Sequence, residues 1–90
     1  MKKRDRLTVI HDILYCVREN RNSVRFTTLL RSSRLSTATF SEYYSELSAK
    51  GFLLEVTDKR GGRFVTLMEK GFLYLEKNNL IRGLIDEFEL

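Results

Sequence analysis

Ninety residues, 42% hydrophobic and 31% charged, make about one globular domain and exclude a disordered chain. One Cys and one His exclude an internal disulfide and a four-ligand Cys/His zinc site, and no apolar run approaches the roughly 20 residues that span a bilayer. The net charge of +4 conceals a gradient: residues 1–36 carry nine Lys/Arg against three Asp/Glu, and residues 68–90 carry three against five, which points one face at a polyanion.

From Asp5 to about Asn20, Leu7, Ile10, Leu14 and Val17 recur at i, i+3, i+7 and i+10, with Val9 and Ile13 widening the stripe. This predicts an amphipathic first helix, stopped by Asn20-Arg21-Asn22-Ser23. Val24 and Arg25 fit a short extended piece. Thr27 or Thr28 opens a brief second helix with Leu29 and Leu30 inward, ending at Ser32-Ser33.

Ser36 is placed to cap a third helix by accepting backbone N–H bonds. Phe40, Tyr43 or Tyr44, and Leu47 make its buried stripe. The two tyrosines are about 100° apart around a helix, so at most one belongs fully in the core. Gly51 falls where a left-handed residue ends a helix, with Phe52 behind it as the apolar contact.

Two strands follow, Phe52–Val56 and Arg63–Leu67. Asp58-Lys59-Arg60-Gly61-Gly62 joins them, and the Gly-Gly pair is expected to supply the positive φ angles of a tight hairpin. Thr66-Leu67-Met68-Glu69 has the form of a capping box and should open a long fourth helix reaching about Phe88. Phe72, Leu73 and Leu75 are expected to close the core.

The order helix, helix, helix, hairpin, helix is an α+β, mostly α arrangement: a winged helix-turn-helix with a long C-terminal helix. Residues 1–67 form the winged domain, and residues 68–90 a helix that first closes the core and then dimerises. Leu80, Ile81, Leu84, Ile85 and Phe88 recur beyond what so small a domain needs, and an apolar face projecting from the body needs a partner. A second copy of the chain is the simplest one, because a domain this small buries only roughly 60% of its unfolded surface.

At this point the sequence resembles the archaeal winged helix-turn-helix family, which includes small dimeric DNA-binding proteins with a C-terminal coiled-coil helix. The likeness rests on Leu35-Ser36, Tyr43, Leu47 and Lys50-Gly51-Phe52-Leu53, similar to that family's recognition helix and its exit. Leu67-Met68-Glu69-Lys70-Gly71-Phe72-Leu73 is similar to its entry into the last helix. The resemblance implies double-stranded DNA binding as a homodimer, by a transcriptional regulator or chromatin-like protein. It implies the third helix in the major groove, the wing beside the backbone, and neither catalysis nor a cofactor.

Phosphate neutralisation supplies most affinity for DNA. The candidates are Arg25 and Arg31 around the second helix, Arg34 at the turn, and Lys59, Arg60 and Arg63 on the wing, with Lys2, Lys3, Arg4 and Arg6 as a flexible arm. Ser36, Thr37, Thr39 and Ser41, short hydroxyls at the start of the third helix, are the base-reading candidates and promise weak sequence preference. One feature opposes them. The third helix holds no Lys or Arg before Lys50, and its outward face carries Glu42 and Glu46 among Ala38, Ser41 and Ser45. Carboxylates repel phosphates, although a Glu accepts a hydrogen bond from a cytosine amino group.

His11 and Cys16 read as boundary residues, not a nucleophile pair, because no third orienting group, phosphate cradle or carboxylate pair accompanies them. No enzyme activity, metal, cofactor or small-molecule ligand is expected. The expected compartment is cytoplasmic, since the chain opens with no secretory pattern and uses a single Cys. The acidic third helix leaves one rival from a different class, a winged helix that docks proteins without binding DNA.

Overall fold

A computed structural model describes residues 4–89. The elements run α1 (Arg6–Glu19), β1 (Val24–Arg25), α2 (Phe26–Ser33), α3 (Thr37–Ala49), β2 (Leu53–Thr57), β3 (Arg63–Leu67) and α4 (Glu69–Glu87). The three strands form one antiparallel sheet in the order β1-β3-β2. This is the winged helix expected from the sequence. Among the described residues no helix is long and apolar enough to cross a membrane.

The core is built around one face of α1. Val9, Ile10, Ile13, Leu14 and Val17 are buried, and they meet Val24, Leu29, Phe40, Leu47, Leu53, Val65, Leu67 and Leu75 from every other element. Leu7 does not belong to this face: it is 64% exposed. It sits in the first turn of α1, where its carbonyl accepts a bond from the Tyr74 hydroxyl of α4 at 3.3 Å. Asp5 caps α1 by accepting from the Thr8 N–H at 2.7 Å, which holds its carboxyl below the ordinary value.

The third helix follows its sequence signals closely. The Ser36 hydroxyl accepts from the Thr39 N–H at 3.2 Å. At the other end Gly51 has φ +81°, the Phe52 N–H reaches the Leu47 carbonyl at 2.9 Å, and the Gly51 N–H reaches Ser48 at 3.2 Å. That pair of bonds is a Schellman cap, which satisfies carbonyls that the helix end leaves open. Tyr43 and Tyr44 are both half-buried.

Four local expectations are corrected. Helix α2 starts at Phe26, not at Thr27 or Thr28, and no side chain caps it. Only Gly61 of the hairpin pair has positive φ, +80°. Gly62 is required for space instead: the Asp58 carboxylate folds into the loop to accept from the Arg60 and Gly62 N–H groups, and a Cβ on Gly62 would lie 2.9 Å from it. The capping box at Thr66 does not form, because β3 continues through Leu67 and makes Met68 the cap position of α4, with no side-chain bond. Glu69 in the first turn leaves a favourable negative charge there.

The fourth correction concerns which face of α4 closes the core. Phe72 and Leu73 are 42% and 43% exposed, whereas Gly71 and Leu75 are buried and Tyr74 and Asn78 half-buried. Gly71 decides this, because its lack of a side chain lets the helix approach the hairpin entrance closely. A Cβ there would stand 2.7 Å from the Phe52 carbonyl oxygen and 3.0 Å from Leu67. Gly71→Ala should therefore lower stability by about 1–3 kcal/mol, an overpacking cost, as read from urea or thermal unfolding.

Candidate nucleic-acid interface

Helix α3 is held between two polar knots. On one side lie α2, α3 and the wing. Phe26, Phe40 and Tyr44 form an aromatic cluster with ring centroids 5.0–5.7 Å apart. The Arg63 guanidinium lies over Phe26 at 3.8 Å and donates to Glu55 at 2.9 Å. The Tyr44 hydroxyl donates to the same Glu55 oxygen at 2.7 Å. Arg63 and Tyr44 hold the Glu55 carboxyl below the ordinary carboxylate value, and burial, followed by the bond to Glu55, pushes the Tyr44 hydroxyl up.

The other knot lies at the start of α1. Arg6 pairs with Glu46, which also takes Lys50 at 3.0 Å, and Arg6 lies over the Tyr43 ring at 5.7 Å. Lys50 and Arg6 hold the Glu46 carboxyl below its ordinary value. Arg4 pairs with Asp12 at 3.0 Å and donates to the Ser33 carbonyl at the end of α2. Arg4 and Arg6 are therefore bound to the helix-turn-helix, not part of a flexible arm; Lys2 and Lys3 lie outside the described residues. Arg6, Thr39, Glu42, Tyr43 and Glu46 line a shallow cleft of about 240 Å³ beside this pair.

The turn from α2 to α3 is three residues, Arg34–Ser36. Arg34 takes the left-handed conformation at φ +59°, and the Ser33 hydroxyl braces the turn by donating to Leu30 at 2.6 Å and accepting from the Leu35 N–H at 3.2 Å. The bend turns the Arg34 side chain into solvent.

The residues expected at the interface divide into two sets. Arg31, Arg34, Lys59 and Arg60 are exposed and make no ion pair among the described residues. Arg25 is exposed too, with its guanidinium 5.1 Å from the Phe64 ring centroid. Arg63 is committed to Glu55 and Phe26, so Lys59 and Arg60 are the free cations of the wing. Ser36 and Thr39 bond to each other in the cap at 3.0 Å, while Thr37 and Ser41 are exposed with no side-chain partner among the described residues. Sequence reasoning missed Glu55, and it read Arg6 as an arm cation and Tyr44 as a stripe residue without their partners Glu46 and Glu55. Only the i, i+4 spacing of Glu46 and Lys50 signalled any part of the two knots.

The winged helix-turn-helix family model matches residues 3–86, and the chain belongs to that family. Solved structures share the fold. Sso10a-2, a DNA-binding protein from Sulfolobus solfataricus, is 20% identical with a TM-score of 0.69, the match covering 96% of this chain and 90% of that one. The PcaV transcriptional regulator from Streptomyces coelicolor is 17% identical with a TM-score of 0.76, covering 90% and 60%. A MarR-family transcriptional regulator from Silicibacter pomeroyi is 17% identical with a TM-score of 0.65 over 77% of this chain, which spans about half of that protein, 47%. No curated protein sequence matches.

Because the Glu55 carboxyl is held below 4.5 in the folded state, its contribution to stability is present above that pH and is lost as pH falls through the lowered value. Glu55→Gln should melt below the wild type at neutral pH, and the two curves should converge in acid. Thermal melts across a pH series measure it.

Proposed function

We propose that the chain binds double-stranded DNA as a homodimer, with α3 in the major groove and the wing on the phosphate backbone, as a transcriptional regulator or chromatin-like protein. One observation carries this reading. Arg31 on α2, Arg34 in the turn before α3, and Lys59 and Arg60 at the tip of the wing are exposed and have no carboxylate partner among the described residues. Unpaired cations on the helix-turn-helix and on the wing suit a phosphate backbone. The similarity to a DNA-binding protein from Sulfolobus solfataricus over nearly both chains supports the same reading.

The rival protein-docking role rested on the acidic face of α3. Arg6 and Lys50 neutralise Glu46, which reduces that face to Glu42. No other observation favours docking.

The homodimer rests on α4. Over its 19 residues it is about 28 Å long, and it continues unbroken through Asn78-Asn79. Leu80, Ile81, Leu84, Ile85 and Phe88 are 40–65% exposed on it. Within residues 68–90, α4 (Glu69–Glu87) thus reads as the helix that closes the core at Leu75 and offers its far end to a second copy.

Two experiments test these assignments. Binding to a random duplex should weaken as salt rises, and Lys59→Ala with Arg60→Ala should reduce the slope of log affinity against log salt by about one for each phosphate contact removed. No binding to duplex DNA at low salt would overturn the function, and an unchanged slope would take the wing off the DNA. The full chain should sediment as a dimer and a chain ending at Asn79 as a monomer; a shortened chain that stays dimeric places the interface elsewhere.

A further inference from the structure

Glu42 is the one charge on the outermost line of α3. Successive helix residues turn by about 100°, so the buried pair Phe40 and Leu47 puts Ala38, Glu42, Ser45 and Ala49 diametrically outward. All four are exposed. The neighbours of Glu42 on that line are short, so its carboxylate reaches furthest from the helix axis. Glu46 is folded back onto Arg6 and Lys50, whereas Glu42 makes no hydrogen bond or ion pair among the described residues. Glu42 lines the cleft that Arg6 also lines, but Arg6 is paired with Glu46 and not with Glu42.

We propose that Glu42 is a specificity residue that selects a C·G base pair, an inference that rests on the DNA-binding reading above. An ionised carboxylate only accepts hydrogen bonds. Guanine presents two acceptors in the major groove and thymine an acceptor and a methyl group, so both leave Glu42 unsatisfied or repelled. Adenine offers one amino donor, but its N7 acceptor lies beside it. Cytosine presents its amino donor with no acceptor on the same base edge, and this is the partner a carboxylate accepts from. The surrounding hydroxyls of Thr37 and Ser41 discriminate little. The carboxylate therefore decides the preference: it opposes approach to most sequences and is compensated only where a cytosine amino group meets it.

The test is selection from a random duplex library, followed by affinity measurement on duplexes that differ in a single base pair. The wild type should prefer C·G at one position per half-site, by about tenfold over A·T. Glu42→Ala should lose that preference while still binding DNA. Glu42→Gln should shift it toward A·T, because an amide pairs with the adenine N6 and N7 together. Circular dichroism should show both variants folded, since Glu42 is exposed and unbonded. A wild type that binds duplexes with no preference, or an Ala variant that keeps the C·G preference, overturns the role of Glu42 and leaves DNA binding standing. A wild type that binds no duplex overturns both.

Discussion

A single carboxylate joins α3 to the wing on the polar side, over the core that Phe40 and Leu47 share with Leu53, Val65 and Leu67. Glu55 sits on an edge strand, and it gathers the Tyr44 hydroxyl from α3 and the Arg63 guanidinium from the neighbouring strand. Arg63 in turn lies over the ring of Phe26 of α2, which packs edge-on against Phe40 and Tyr44. A planar guanidinium can stack on a ring and donate to a carboxylate at once, which a lysine cannot do. Helices α2 and α3 and the hairpin are thereby joined by one set of side-chain contacts.

The electrostatics of α3 depend on partners far away in sequence. Read alone, the helix is acidic and a poor candidate for approaching phosphates. Arg6, 40 residues away, and Lys50, one turn away, cancel Glu46. Partly exposed pairs of this kind add little to stability. Their consequence is local potential: half the negative charge on the helix is neutralised within the chain, while the cations at the turn and the wing tip keep theirs. The basic front end of the chain therefore divides between those that neutralise the chain's own acids and those that face outward.

Helix α4 has two halves that answer to different constraints. Gly71 and Leu75 are dictated by the domain they close. Beyond Asn78 the described residues are exposed, and the apolar ones have no core to serve. A small domain gains little from its own surface-to-volume ratio, and the apolar residues at the far end of α4 add nothing to the core of this chain.

Much of this was legible from residue order alone. The periodicity of α1, the Ser36 cap, the Gly51 exit and the two strand runs around a Gly-containing turn are local signals, each set by hydrogen bonding and sterics within a few residues. They determined the element order and hence the winged helix. Tertiary structure decided what no local rule reaches. Leu7 is exposed because the buried part of α1 begins only at Val9, and Phe72 and Leu73 face outward because Gly71 turns the other side of α4 to the hairpin. Arg4, Arg6 and Arg63 are occupied because Asp12, Glu46 and Glu55 come to lie beside them. The physical reason is the same throughout: a short-range signal fixes backbone geometry, whereas the partner of a long charged side chain is chosen by whatever the finished fold brings within about 4 Å.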